Sequence, residues 1–194
     1  CKILSKKKRA AASPIHGLAH WKRVFENGLV IAKETGANKE LVELFALFHD
    51  SCRINDGKDP NHGRRAAEWV ESMRIDLSSF PEHLFQDLLT AIRDHTEAIY
   101  AKNIHVATCW DADRLDLGRV GITPREEFMN TNRGRIIARN GLKIMKDILY
   151  KEFSDPSQDF LCEPRAFCYE IASNLINKAK EAEAENWRKN INVI

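Results

Sequence analysis

A His-Asp doublet, His49-Asp50, directly follows the apolar run 41–48, which reads LVELFALF. Imidazole and carboxylate groups are metal ligands, and both are costly to bury unless they are paired or bind a metal. The doublet therefore predicts two metal-capable side chains at the edge of a core. It also predicts that their partners lie elsewhere in the chain.

Helical spacing indicates two partners for the doublet. His20 lies four residues before Val24 and eleven before Ile31, so the three share one helix face. His95 ends a similar apolar stripe that begins in segment 84–92. Because side chains at these spacings lie on the same face of a helix, both imidazoles are expected to point inward. Each is a candidate ligand.

Three acidic residues lie on the predicted fifth helix, and the apolar spacing separates them. Asp113 shares a face with Val106 and Trp110, so it is predicted to point inward. Trp110 is predicted to belong to the core rather than to stack on a base. The other two acids are expected at the surface, solvated or paired with a nearby arginine. These residues are Asp111 and Asp116, with Arg114 and Arg119 as the candidate partners.

Two more histidines lie near the predicted ligands. His62 follows Pro60 by two residues, in the first turn of a predicted helix and just after the loop 55–59. It is a further candidate imidazole ligand. His16 precedes His20 by four residues, and we expect it to touch a ligand or the substrate rather than to bind the metal itself.

The elements that must position these residues are all helical. Capping and stop signals recur, among them Ser13-Pro14, Gly36, Asn38 and Asp59-Pro60, whereas strand signals are nearly absent. The sequence predicts an all-α protein with a single domain over residues 1–194. The predicted helices cover about 14–35, 39–51, 60–74, 81–98, 104–117, 124–130, 133–152 and 164–187, with boundaries good to about two to four residues.

Composition excludes several function classes. Thirty basic and 28 acidic residues leave a formal charge of +2, which gives no strong signal for nucleic acid or membrane binding. No apolar run approaches the roughly 18 residues of a membrane span, and no Gly-rich phosphate loop follows a strand. The five cysteines lie far apart without a Cys-x-x-Cys pair, so a cytoplasmic, reducing environment is expected. The basic cluster 6–9 is interpreted as an N-terminal tail.

Three segments resemble the motifs of the HD-domain superfamily of metal-dependent phosphohydrolases. They are 16–24 (HGLAHWKRV), 47–53 (LFHDSCR) and 112–116 (ADRLD). The resemblance covers about residues 14–120 and implies an HD-like helical bundle that binds metal. Residues 121–194 would then be a C-terminal helical extension, in which a homodimer contact is left open.

The resemblance implies a set of metal ligands. In that family a first histidine, the His-Asp doublet and a distant aspartate hold one divalent metal, and some members add two histidines that bind a second one. Asp50 would bridge the two metals in a dinuclear site. The ligand types suit Mn, Fe, Co, Mg or Zn, and the sequence does not distinguish among them. The matching residues are His20, His49, Asp50 and Asp113, with His62 and His95 for the second metal.

The resemblance also implies a reaction. A phosphatase or phosphodiesterase would act on a nucleotide or another small phosphoester, because a divalent metal activates water and polarises a phosphoryl oxygen. Asp50, or another acid that contacts a ligand, would manage the proton. Arg53, where the family commonly has a basic residue, could hold the phosphate, and His16 could contact the substrate. The alternative to phosphate binding is that Arg53 forms a surface salt bridge.

Two other functions remain open at this point. A di-iron oxygenase built on the same fold would use the same residues and would need both His62 and His95 as ligands. A non-catalytic binding module would use the metal only to hold the helices together.

Overall fold

The computed structural model describes residues 10–74, 77 and 79–141. It is all-α, as predicted, with no strand among the residues described. Three sequence interpretations fall outside these residues: the predicted helix 164–187, the end of the predicted helix 133–152, and the homodimer contact that the sequence left open there. The α-helices are α1 (Leu18–Thr35), α2 (Lys39–Phe48), α3 (His62–Ser72), α4 (Glu82–Asp94), α5 (Ile104–Arg114) and α6 (Asn132–Asn140), and two 3-10 helices span Leu117–Val120 and Glu126–Phe128.

Polar side chains cap several of the helices. The Asn38 side chain accepts a hydrogen bond from the backbone of α2, Asn103 does so for α5, and Thr131 for α6. Each side chain satisfies backbone N–H groups that the first turn of a helix leaves without a partner. Gly36 ends α1 in the left-handed conformation, at φ 73°, which glycine adopts without strain.

Helix α5 lies at the centre of the bundle. It packs against α1, α2, α4 and α6, and every residue from 106 to 112 is buried. Trp110 belongs to this core, where its indole N–H donates to the carbonyl of Ala91 at 3.0 Å. Gly28 lets helix α1 pack closely on α2. A Cβ atom at this position would lie only 2.3 Å from Cγ1 of Val42.

Several helices are shorter than predicted. Helix α1 begins at Leu18 rather than near 14, because the Ser13 hydroxyl accepts hydrogen bonds from the N–H groups of Ile15 and His16 and forms a turn. Residues 124–130 form only a short 3-10 helix instead of the predicted helix. Among the described helices, none is both long enough and apolar enough to cross a membrane.

Candidate metal centre

The ends of several helices meet around one small volume. α1 contributes His20, the turn after α2 contributes the doublet, α3 begins with His62, and α4 ends before His95. Helix α5 contributes Asp113. The imidazoles and Asp50 are at most 3% exposed as side chains, whereas Asp113 is 16% exposed. The structure thus brings together all six residues that the sequence predicted as ligands.

His20 and His49 face each other through their Nε2 atoms, 3.0 Å apart. Nδ1 of His49 lies 3.2 Å and 3.1 Å from the carbonyl oxygens of Phe45 and Ala46, which only accept hydrogen bonds. Nδ1 of His20 lies 2.7 Å from a carboxylate oxygen of Asp116. Each Nδ1 therefore carries a proton, and in a neutral ring Nε2 is left with a lone pair.

His62 and His95 repeat this arrangement. Their Nε2 atoms lie 2.9 Å apart. Nδ1 of His62 lies 2.5 Å from the carbonyl oxygen of Asp59, and Nδ1 of His95 lies 2.8 Å from that of Ile92. Two lone pairs at this separation repel each other unless a proton or a cation lies between them. Both pairs therefore fit the role of metal ligands.

Asp50 lies between the two imidazole pairs. Its Oδ2 atom is 3.6 Å and 3.7 Å from Nε2 of His20 and His49, and its Oδ1 atom is 2.9 Å and 3.7 Å from Nε2 of His62 and His95. Burial opposes its ionisation, but the electrostatic interaction with His49 and hydrogen bonds from neighbouring imidazoles hold the pKa of Asp50 well below its usual range. An ionised carboxylate shared by the two pairs has the geometry of a bridging ligand.

Asp113 supplies a direct test of whether this centre fits a cation. Its Oδ1 atom is buried, has no hydrogen-bond partner among the described residues, and lies 3.3 Å from Nε2 of His20 and 3.9 Å from that of His49. Two ligands bound at right angles, each about 2.1 Å from one cation, are about 3 Å apart. The unpartnered oxygen and the facing nitrogens therefore fit a divalent metal. His20, His49 and Asp50 form one possible ligand group, and Asp50, His62 and His95 form a second.

Two of the imidazoles favour positive charge at the centre. Burial opposes the charged form of His20, but the neighbouring carboxylates of Asp113 and Asp116 raise its pKa above the usual value. The pKa of His95 is raised as well, against burial, mainly by Asp50. For His49, burial dominates and lowers the pKa to about 3, so this ring is neutral. A bound metal would replace the protons that the other rings attract.

A family model for the HD domain matches residues 17–155 of the chain. The chain belongs to the HD-domain family. The crystal structure of a predicted HD superfamily hydrolase from an uncultured Thermotogales bacterium is similar in fold, with a TM-score of 0.56. The two sequences are 24% identical, and the match covers 79% of this chain and 91% of the other. No curated protein matches the chain.

These comparisons confirm the family that the motifs resembled and the all-α fold. The family match extends from residue 17 beyond residue 120, where the sequence analysis ended the HD-like core. That division, with 121–194 as an extension, stays a prediction. The identities of the metal ligands also stay a proposal, which rests on the geometry of the centre.

The surface position predicted for Asp116 is wrong. Asp116 of the HD domain is 7% exposed and accepts hydrogen bonds from His20 Nδ1 at 2.7 Å and Arg23 Nε at 2.6 Å. The expected neighbour Arg119 is present, at 3.9 Å, but it is not the main partner. Helix α5 ends at Arg114, so the helical spacing used for the prediction does not apply at Asp116. Arg23, one turn after His20, is the sequence signal that could have indicated a carboxylate there.

We expect Asp116→Ala to weaken metal binding by about tenfold to a hundredfold, which is typical when a carboxylate that orients a ligating histidine is removed. The loss would leave His20 free to rotate and to change its tautomer. Titration of metal-free protein with Mn²⁺ by calorimetry measures the affinity. Arg23→Ala is the control, because it leaves the Asp116 carboxylate in place. Equal metal affinity in Asp116→Ala and the wild type would show that the carboxylate does not orient His20.

The surface position predicted for Asp111 is also wrong. Asp111 is fully buried, and its carboxylate accepts hydrogen bonds from the backbone N–H groups of Asn130 and Thr131 and from the Thr131 hydroxyl, at 2.7–3.0 Å. It holds the segment that leads into α6 against α5. The outward face assigned to Asp111 does not exist, because α5 is covered on all sides.

His16 and Arg53 both contact the carboxylate of Asp50. Nδ1 of His16 lies 2.9 Å from Oδ2 of Asp50, and Nε of Arg53 donates to its Oδ1 at 3.0 Å. Arg53 also donates through Nη1 to the carbonyls of Gly57, at 3.2 Å, and Asn55, at 3.4 Å. Its side chain is 13% exposed. Arg53 therefore does not form the surface salt bridge considered as its alternative, since it helps to hold Asp50 in place.

Gly63 allows α3 to approach α4 closely. A Cβ atom at this position would lie 2.7 Å from the carbonyl oxygens of both Ile92 and Arg93. We therefore expect Gly63→Ala to push the helices apart, to separate His62 from His95 and to destabilise the fold by about 1–3 kcal/mol. Metal analysis of the purified variant should show the loss of one metal equivalent.

Gly57→Ala is the matched control for this prediction. A Cβ atom at Gly57 would meet only Oδ1 of Asn55, at 3.5 Å, which is an ordinary contact. This control should keep the metal content and the melting temperature of the wild type. A Gly63→Ala protein that behaves like the control would contradict the role assigned to this close approach.

Proposed function

We propose that this HD domain is a metal-dependent phosphohydrolase that acts on a nucleotide or another small phosphoester. The observation that supports this most is the position of Asp50 between two pairs of imidazoles whose Nε2 atoms face each other. In the proposal, His20, His49, Asp50 and Asp113 hold one divalent metal. His62, His95 and the second oxygen of Asp50 hold another.

The proposal gives Asp50, Arg53 and His16 different roles in the reaction. A divalent metal, when bound, lowers the pKa of water and polarises a phosphoryl oxygen. Asp50 is proposed as the catalytic carboxylate because both of its oxygens face the centre. Either Asp50 or another acid that contacts a ligand would accept the proton of the attacking water. Arg53 and His16 fix its orientation through the hydrogen bonds described above. His16 lies at the edge of the centre, where it is also proposed to contact the substrate.

The first experiment combines metal analysis with an activity screen. Protein purified without chelator should contain up to two equivalents of metal per chain. The metal-loaded protein should release phosphate from a panel of nucleotides and aryl phosphoesters, including cyclic ones, and a chelator should abolish the release. Asp113→Ala is the control, since it removes a proposed ligand. Full metal loading without turnover would contradict the proposal and favour the non-catalytic binding module.

A di-iron oxygenase is the second candidate function. The observation in its favour is that His62 and His95 both face Asp50, because an oxygenase of this type needs both as iron ligands. Oxygen consumption by the iron-loaded protein in the presence of small organic substrates tests it. Retained activity in His62→Ala would contradict this function.

A further inference from the structure

Asp113 is the most exposed of the proposed ligands. The four imidazoles and Asp50 are nearly inaccessible, whereas the side chain of Asp113 is 16% exposed. Arg119, which is 11% exposed, lies next to Asp113, with Nη2 3.8 Å from its Oδ1 atom. Arg119 therefore borders the least covered side of the centre. The sequence analysis did not propose it as a substrate residue.

Two of the three nitrogens of the Arg119 guanidinium are anchored to the backbone. Arg119 lies on the 3-10 helix Leu117–Val120, directly after α5. Its Nε donates to the carbonyl of Ile15 at 3.2 Å, and its Nη1 donates to that of Asp116 at 3.1 Å. These bonds join the turn before α1 to the turn after α5. They also fix the direction in which the third nitrogen points.

That third nitrogen, Nη2, lacks a good acceptor among the described residues. It lies 3.4 Å from Nδ1 of His16 and 3.8 Å from Oδ1 of Asp113. Nδ1 of His16 lies closer to Oδ2 of Asp50, at 2.9 Å, and because a carboxylate oxygen only accepts hydrogen bonds, this nitrogen is the donor there. Nη2 is therefore a fixed donor beside Asp113, with hydrogen-bonding capacity left over.

We propose that Arg119 binds a phosphoryl oxygen of the substrate through Nη2. This inference rests on the proposed function and names the residue that recognises the phosphate. A guanidinium donates strong, charge-assisted hydrogen bonds to phosphate, and a guanidinium already held in place loses little freedom on binding. The substrate would then lie between Arg119 and the metal ligands, where Asp113 forms the border.

The other arginines around the centre are less suited to this role. Arg23 directs both Nε and Nη2 at the carboxylate of Asp116. Arg53 uses Nε for Asp50 and Nη1 for two loop carbonyls. These hydrogen bonds of Arg23 and Arg53 hold other parts of the protein in place. Arg119 differs because both of its anchored nitrogens bond to backbone carbonyls, while its Nη2 lies 3.8 Å from Oδ1 of Asp113.

Binding of inorganic phosphate to the metal-loaded protein tests the proposal. We expect Arg119→Gln to raise the Kd for phosphate, measured by calorimetry, by about tenfold to a hundredfold, the usual effect of losing a hydrogen bond to a charged group. Where turnover is measured, KM should rise more than kcat falls. Arg119→Lys keeps the charge and should recover part of the affinity. Arg139→Gln is the matched control, since Arg139 is exposed and pairs with Glu126.

The outcomes distinguish a binding role from a structural one. Unchanged phosphate affinity in Arg119→Gln would overturn the proposal, even if the melting temperature falls through loss of the two backbone anchors. Reduced affinity with unchanged metal content, in Arg119→Gln or in a better-folded Arg119→Lys, would support it. If the metal-loaded wild type binds no phosphate and hydrolyses no phosphoester, the proposed function fails together with this inference. If the wild type binds phosphate, only the inference about Arg119 is at stake.

Discussion

Asp50→Asn is expected to remove at least one metal equivalent from the centre and to lower turnover by on the order of a thousandfold. The amide keeps the shape of the side chain but replaces one oxygen by an NH₂ group, which donates hydrogen bonds and cannot bind a metal. Both oxygens of Asp50 face imidazole nitrogens, so either orientation of the amide loses one half of the centre. The loss of about 4 kcal/mol of transition-state stabilisation corresponds to the expected decrease.

Elemental analysis and phosphate release measure this prediction in parallel. Asp56→Asn is the matched control, because Asp56 lies in the exposed loop after the doublet and, among the described residues, accepts a hydrogen bond from the hydroxyl of Ser13. It should keep the metal content and the activity of the wild type. Two metal equivalents retained in Asp50→Asn would show that this carboxylate does not bridge the imidazole pairs.

The sequence alone indicated the inward-facing ligands because each lies on a helix with a distinct apolar stripe. His20 and His95 continue such stripes on α1 and α4, and both are buried as expected. The spacing method failed for Asp111 because α5 has neighbours on all sides. On a helix without a solvent-exposed face, apolar spacing does not separate inward from outward positions. Two of the helices that cover α5, α1 and α2, come from a distant part of the chain.

Helix ends could not be predicted closely, and they matter most at this centre. α2 ends at Phe48 and α4 at Asp94, and in each case the following histidine turns Nδ1 back to a carbonyl of the last turn. The last carbonyls of a helix have no partner within the helix, so an imidazole can satisfy them. The same bond directs Nε2 into the centre. The hydrogen bond at each helix end thus also orients a candidate ligand. Neither a helix stop signal nor a sequence motif predicts this bond.

Two acids on α5, two residues apart, should show opposite responses to mutation. Asp111→Ala is expected to destabilise the protein by about 3 kcal/mol, because it leaves the buried N–H groups of Asn130 and Thr131 and the Thr131 hydroxyl without their acceptor. Metal binding should persist, since Asp111 does not face the imidazoles. Metal at a hundred times its Kd should still add about 2.7 kcal/mol of stability.

Asp113→Ala should behave in the opposite way, because it removes the unpartnered oxygen that faces His20 and His49. The stability gained on adding metal should fall sharply, and phosphate release should be lost. Denaturant unfolding of both variants, with and without Mn²⁺, measures the two effects on one scale. A metal-induced gain that survives in Asp113→Ala would exclude Asp113 as a ligand. A gain lost in Asp111→Ala would mean that the junction of α5 and α6 helps to shape the centre, since the hydrogen bonds of this carboxylate in the described part of the chain hold that junction.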